Sequence, residues 1–189
     1  YDSKYLASAT VRYDGSSRFG KNNQFAAFPA FSLGSRINQE NFVNDNISTI
    51  SDLKLRFGWG QTGNQEIPNN GIYTLYSTNY TGGDPTWRSL DGTAYSLTGV
   101  KSGTLPSGYQ KIQSGNPDLK WETTTQTNVG LDFGFFDQSL YGSVDYFIKD
   151  TKDILVLPPY IAVVGEGGNQ WVNGASMKNS GIEMVLGYR

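Results

Sequence analysis

The amino-acid sequence predicts an all-β protein that forms a segment of an antiparallel transmembrane β-barrel. Six segments alternate apolar and polar side chains with a period of two residues, which is the period of a β-strand. The five connections between these segments are, in order, long, intermediate, very long, very short and long. Up-and-down strands of a membrane barrel show this kind of pattern, with long loops at one end and short turns at the other. No run of about 18 apolar residues occurs, which excludes a helical membrane protein.

The composition of the chain excludes several classes of function. Its 189 residues carry a formal charge of −2 with dispersed Lys and Arg residues, which argues against a nucleic-acid partner. The chain contains neither Cys nor His, so it has no disulfide and lacks the commonest general base and metal ligand. Without those residues no nucleophile–base pair of the common type can form. We therefore predict no enzyme, no cofactor and no metal site.

The first three strands are predicted near residues 4–14, 25–37 and 53–62. The first strand has a largely apolar face that contains Tyr5, Ala7, Ala9, Val11 and Tyr13. In the third strand Leu53, Leu55, Phe57 and Trp59 alternate with Lys54, Arg56, Gly58 and Gly60. Residues 39–51, between the second and third strands, are predicted to form a connector with one helical turn.

The fourth strand, predicted near residues 119–135, shows the most regular alternation. Its apolar face contains Thr127, Val129, Leu131, Phe133 and Phe135. A turn of two or three residues leads to a fifth strand near residues 139–157, and a sixth is predicted near residues 177–189. The alternation alone leaves two possibilities, because the apolar faces point inward in a soluble sandwich and outward to lipid in a membrane barrel.

The lengths of the connections favour the barrel. Residues 63–118 and 158–176 are predicted to be long extracellular loops, and a structureless loop as long as the first is improbable inside a compact soluble domain. About eight strands are the usual minimum for a closed membrane barrel, so six strands predict only part of one. Both chain ends lie close to or inside a strand pattern. We therefore expect residues 1–189 to form a single partial barrel domain of a longer polypeptide.

Six motifs follow one another along the chain. They are DGSSRFG (14–20), FPAFSLG (28–34), DLKLRFGWGQTGNQ (52–65), NPDLKWETTTQTNVGLDFGFF (116–136), DYFIKDTKDIL (145–155) and NSGIE (179–183). In order and spacing these motifs resemble the SusC/RagA family of TonB-dependent outer-membrane transporters. The similarity covers nearly the whole chain outside residues 67–111. It identifies the family but not a substrate.

The resemblance implies a large protein with a 22-stranded barrel, an N-terminal plug and a periplasmic segment that contacts TonB. It also implies the outer membrane of a Gram-negative bacterium, a SusD-like surface lipoprotein as partner, and import of glycans or peptides driven by the proton-motive force. This chain would supply about six strands from the later part of the barrel, in contact with outer-membrane lipid, without the plug. The expected substrate is an oligosaccharide in preference to a peptide.

Aromatic side chains in the long loops are the candidates for contact with a substrate or partner. They are Tyr73, Tyr76, Tyr80, Trp87, Tyr95, Tyr109 and Trp171. Aromatic faces stack on sugar rings, and Tyr and Trp are favoured at protein interfaces. The alternative, which we prefer for most of them, is that they pack within the loops or lie at the level of the lipid headgroups.

Charged side chains on the polar faces of the strands are predicted to line the lumen. They are Arg12, Arg36, Lys54, Arg56, Asp132, Asp145 and Lys149. Opposite charges on adjacent strands are expected to pair across the wall, and contact with a plug is the alternative.

Two other classes of function fit parts of the pattern. A passive porin would share the barrel but lack the plug and the TonB-contact segment. A soluble surface β-sandwich would bind glycan through loop aromatics and bury its apolar faces against a second sheet. Monomeric behaviour of the isolated chain without detergent would favour the sandwich, because exposed apolar faces and open strand edges promote aggregation.

Overall fold

β-Strands form almost all of the regular structure. This computed structural model describes residues 4–40, 49–77, 110–159 and 169–189, which contain eight strands and one short 3-10 helix, Ile37–Gln39. The strands are β1 (Tyr5–Gly15), β2 (Phe25–Arg36), β3 (Ile50–Asn64), β4 (Leu75–Ser77), β5 (Gln110–Gln113), β6 (Glu122–Phe135), β7 (Leu140–Val156) and β8 (Val172–Tyr188). Among these described residues, no helix is long and apolar enough to span a membrane.

Six strands form one antiparallel sheet in the order β1-β2-β3-β6-β7-β8. The strands follow one another in chain order, except that the small β4–β5 pair lies between β3 and β6 in sequence. The turn between β6 and β7 has four residues, 136–139; Phe136, Asp137 and Gln138 have positive φ, and Ser139 N–H donates to Phe136 O at 3.0 Å. The antiparallel, up-and-down, all-β prediction is confirmed.

Several strand bounds differ from the predicted ones. β1, β2 and β7 begin and end within one residue of the predicted positions, whereas β3 is longer at both ends and β8 begins at Val172 instead of residue 177. β6 begins at Glu122 instead of residue 119 because Leu119 and Trp121 leave the sheet edge and are buried in a core described below. The helical turn predicted within residues 39–51 is displaced to Ile37–Gln39, and residues 41–48 lie outside the described residues.

The loop predicted at residues 63–118 is partly ordered as strand. β4 and β5 pair with each other inside it, and β3 continues to Asn64 at its start. Strands of three and four residues are too short to show an alternating pattern in a sequence, which explains why they were not predicted.

One face of the six-stranded sheet is apolar and exposed. The cross-strand row Leu33, Phe57, Val129, Tyr146 and Ile182 is continuous from β2 to β8. Large apolar side chains that remain exposed on this face include Leu33, Leu55, Val129, Tyr146, Ile182, Met184 and Leu186. A water-soluble sandwich would bury such a face, whereas a membrane barrel presents it to lipid. We call it the outer face.

The apolar band crosses the strands obliquely. On β1 it is centred near Ala9, which the ladders connect to Ser180 on β8. On β8 the band is instead centred between Met184 and Leu186, about five residues beyond Ser180. Five ladders separate β1 from β8, so the centre of the band shifts by roughly one residue from each strand to the next. With about 3.3 Å per residue and 4.8 Å between strands, that slope corresponds to a tilt of about 35°. Tilts of about 35–45° are typical of strands in transmembrane barrels.

Candidate functional site

The polar face of the sheet carries all seven charged residues predicted to line the lumen. In the cross-strand registers they lie on the face opposite the apolar band; they are Arg12, Arg36, Lys54, Arg56, Asp132, Asp145 and Lys149. Three of them meet in one ion-pair network. The other four are spread along the same face, where Arg12 forms an ion pair with Asp14 at 2.6 Å.

Arg56 joins three strands through two carboxylates. From β3 its Nε and Nη2 donate to the two carboxylate oxygens of Asp132 on β6, at 2.9 and 2.7 Å. The same Nη2 donates to Asp145 Oδ2 on β7 at 3.0 Å. Bidentate Arg–carboxylate pairs are among the stronger hydrogen-bonded contacts in proteins. The arrangement is the pairing across the wall that the charge pattern predicts.

Gly130 gives Arg56 the room to reach Asp145. It lies between them in the cross-strand row Arg56, Gly130 and Asp145. A Cβ built on Gly130 would overlap Asp145 Oδ1 and lie 2.8 Å from Arg56 Nη2. The guanidinium therefore crosses β6 directly above a residue that has no side chain.

A second feature, which the sequence analysis did not anticipate, is a buried core at the loop end of the sheet. Its members are Phe19, Phe28, Ile67, Leu119 and Trp121, of which Phe19 and Leu119 are completely buried. They come from the β1–β2 connection, from β2 and from the segments before and after β4 and β5. We call this cluster the loop-end core.

The loop-end core fills a gap between β2 and β3. The β2–β3 ladder ends at the Ala30–Gly60 pair although both strands continue beyond it. In the gap, the Trp121 ring packs at 5.5 Å from the Phe28 ring and at 5.2 Å from the Phe19 ring. The indole N–H donates to Gln24 O at 3.2 Å, so its polar atom is satisfied.

Close backbone approaches hold the loops onto this core. A Cβ built on Gly20 would overlap the carbonyl oxygen of Pro117, and one built on Gly115 would lie 2.5 Å from the carbonyl carbon of Tyr73. Asn116 Nδ2 donates to Trp171 O at 2.9 Å, while its Oδ1 accepts from Asp118 N–H at 3.1 Å. Four connecting segments are thereby joined into one packed unit.

The side chain of Asn173 links β8 to the same unit through hydrogen bonds. Its side-chain oxygen accepts from Lys120 N–H at 3.0 Å, and its Nδ2 donates to the backbone oxygens of Lys120 and Asp153, each at 2.8 Å. Asp153 has a φ of 56° and lies in the irregular stretch of the β7–β8 ladder. Its carboxylate pairs with Lys120 Nζ at 2.9 Å.

The predicted loop aromatics have different environments. Tyr73 and Tyr76 are exposed at 59% and 62%, next to and within β4. Trp171 packs against the loop-end core, as the alternative interpretation of the aromatics expects. Tyr80, Trp87, Tyr95 and Tyr109 lie outside the described residues.

The arrangement is suited to forming a wall and a rigid loop base. Two carboxylates of the polar face, Asp132 and Asp145, are bound by Arg56. In the described ranges no cluster of three or more Asp, Glu, His or Cys residues has a spacing that suits a metal ion.

The chain matches a family model described as "TonB dependent receptor-like, beta-barrel" over residues 1–189. It is 37% identical to the TonB-dependent receptor SusC of Bacteroides thetaiotaomicron, over 97% of this chain and 17% of that protein. It is 36% identical to the TonB-dependent receptor P39 of Formosa agariphila, over 98% of this chain and 16% of that protein. The chain thus spans about a sixth of the length of these curated relatives.

Solved structures agree with the sequence relatives. The RagAB peptide importer in its closed-closed state superposes with a TM-score of 0.77 at 31% identity, over 98% of this chain and 18% of that one. The siderophore receptor PirA of Pseudomonas aeruginosa, at 18% identity and a TM-score of 0.54, shares the fold. The SusC/RagA resemblance carried by the motifs and the transmembrane-barrel fold predicted from the strand pattern are both confirmed. The chain belongs to the TonB-dependent receptor β-barrel family.

Proposed function

We propose that the protein to which this chain belongs imports a nutrient across the outer membrane of a Gram-negative bacterium, using energy delivered through TonB. The family match over residues 1–189 is the observation that carries the proposal. The exposed outer face and the tilt of its apolar band support it, because both suit a wall in contact with lipid. The chain acts as barrel wall and loop base and performs no bond chemistry on the substrate.

The proposed substrate is an oligosaccharide, with a peptide as the second candidate. The identity to SusC supports the placement among SusC-like transporters, and the likeness to a peptide importer is the observation that favours the second candidate. A SusD-like surface lipoprotein is the proposed partner on the loop side. TonB is the proposed partner on the opposite side, through a part of the protein outside these residues.

Uptake is expected to depend on TonB. In cells that express the full-length protein, uptake of a labelled neutral oligosaccharide mixture should fall at least tenfold when the tonB gene is deleted or a protonophore is added. A labelled oligopeptide mixture tested in parallel distinguishes the two substrate classes. Uptake of either mixture that persists at the wild-type rate without TonB would instead identify a passive porin.

Tyr73 and Tyr76 are proposed to contact the substrate or the surface lipoprotein. Both rings are exposed, and Gly115 closely approaches the backbone of Tyr73. Losing two exposed aromatic contacts of about 0.7 kcal/mol each should reduce uptake by the Tyr73→Ala/Tyr76→Ala variant roughly tenfold. The measurement is the initial uptake rate at equal amounts of assembled protein.

Tyr146→Ala is the matched control for this test. Tyr146 is similarly exposed, at 45%, but lies on the outer face of β7. Its replacement should leave the uptake rate unchanged. Equal rates for wild-type protein and the Tyr73→Ala/Tyr76→Ala variant would show that these two rings have no part in binding.

A further inference from the structure

The outer face of β7 and β8 becomes charged immediately beyond the apolar band. On β7 the apolar side chains of this face run as far as Ile148 without a charge, and the next two positions on the same face are Asp150 and Lys152. On β8, Lys178 stands directly opposite Asp150 in the ladder. We propose that Lys152 and Lys178 bind the phosphate group of a glycolipid in the outer leaflet of the membrane.

The position of the two lysines along the strands places them at the level of the lipid headgroups. At about 3.3 Å per residue and a tilt of about 35–45°, Asp150 and Lys178 lie about 5 Å beyond Ile148 along the membrane normal, and Lys152 about 10 Å beyond it. The polar layer on each side of the hydrocarbon is about 5–8 Å thick. Lysine side chains are long enough to reach phosphates anywhere in that layer.

The end of the sheet at which Lys152 and Lys178 lie assigns them to the outer leaflet. Lys152 and Lys178 lie toward the end of the sheet that carries the loop-end core and the long connections. In bacterial outer-membrane barrels the long connections are extracellular and the short turns are periplasmic. The four-residue turn 136–139 lies at the other end of the sheet. The lysines therefore face the leaflet on the cell exterior.

The local chemistry suits a phosphate ester. Lys152 is 69% exposed and its Nζ lies 3.7 Å from Asp150 Oδ2, too far for a good hydrogen bond, so its donors stay available to a ligand. Asp150 neutralises one of the two ammonium charges and leaves a net charge of +1 for a single anionic group. In the ladder, Thr125 pairs with Asp150 and Thr123 with Lys152, which places two hydroxyl-bearing residues on the same face. Arg56, by contrast, already has two carboxylate partners.

Binding of lipid A to the full-length protein tests the proposal. In native mass spectrometry, purified detergent-solubilised protein should bind diphosphorylated lipid A, and the Lys152→Gln/Lys178→Gln variant should bind it roughly ten- to thirtyfold more weakly. Lys152→Arg/Lys178→Arg should retain binding because it keeps both charges. Lys149→Gln is the matched control, since Lys149 is on the opposite face of β7, and it should bind as the wild type does.

Three results would overturn the proposal. One is equal lipid A binding by the wild type and the Lys152→Gln/Lys178→Gln variant. Another is equally tight binding of dephosphorylated lipid A, which would show that acyl chains alone are recognised. The third is complete displacement of lipid A by millimolar inorganic phosphate, which would identify a site for the free ion. A heat-dependent shift in gel mobility, shared by all variants, would show that each of them is folded.

Discussion

Full-length protein carrying Gly20→Ala is expected to reach the outer membrane at a small fraction of the wild-type level. A Cβ at this position overlaps the carbonyl oxygen of Pro117, and both partners are backbone, so the clash cannot be relieved by rotating a side chain. Separating the two segments would loosen the packing around Phe19 and Leu119, which are completely buried. We expect a cost of about 1–3 kcal/mol. The measurement is the amount of heat-modifiable protein in isolated outer membranes.

Gly58→Ala is the control for that experiment. Gly58 lies in the middle of β3 on the polar face, and a Cβ built there meets no atom within 4 Å. Its replacement by alanine should leave the yield and the gel mobility of the protein unchanged. If Gly20→Ala assembled as well as Gly58→Ala, the loop-end core would have no role in assembly.

Arg56→Gln is expected to produce the second large effect. It leaves Asp132 and Asp145 on the polar face without the guanidinium that binds both. The side chains of Arg56, Asp132 and Asp145 are 37%, 31% and 21% exposed, so water screens the charges in part. We expect a coupling energy of about 1–2 kcal/mol between Arg56 and Asp145 in a double-mutant cycle with Asp145→Asn. The measurement is the midpoint of denaturant-induced unfolding of the full-length barrel.

Gly130→Ala should reproduce most of this loss without removing a charge. The new methyl group would displace both the Arg56 guanidinium and the Asp145 carboxylate. Lys149→Gln, on the same strand and face as Asp145, should leave the midpoint unchanged because Lys149 is not part of the network. A coupling energy near zero, together with a Gly130→Ala midpoint equal to that of the wild type, would show that the network contributes nothing to stability.

The wall of this protein is largely predictable from its sequence. Alternation over ten residues separates the two faces of β6, and the same alternation places Arg56, Asp132 and Asp145 together on the polar face. Once neighbouring strands are antiparallel and joined by a short turn, the register follows closely, as in the β6–β7 pair. Charge pairing across strands is then a direct consequence of the pattern.

The loop-end core was not predictable in the same way. Phe19, Ile67 and Leu119 are single apolar residues in polar, glycine-rich segments, and such segments have no periodicity to show which side is buried. Their contacts connect residues that are about 50 to 100 positions apart. The available signal was local: a large apolar residue in the middle of a turn-rich motif, at Phe19 in DGSSRFG and at Leu119 in NPDLKWE.

The start of β8 at Val172 was not predicted because it depends on two structural features that a sequence pattern does not reveal. One is the irregular β7–β8 ladder, which includes the positive φ of Asp153. The other is the side chain of Asn173, which makes backbone-like hydrogen bonds to Lys120. An asparagine is equally common in loops, so its role in extending a strand becomes visible only from the contacts.

The pairing of β4 with β5 has a consequence for the sequence that connects them. Residues 78–109 connect Ser77 on β4 to Gln110 on β5, which pair with each other, and Ile72 just before β4 packs against the loop-end core. When the two ends of a connection are held together, each doubling of its length adds only about 0.6 kcal/mol to the cost of closing it. The length of this segment can therefore differ between related proteins at a small cost in folding free energy. The base beneath it, and the barrel wall to which that base is joined, need not change.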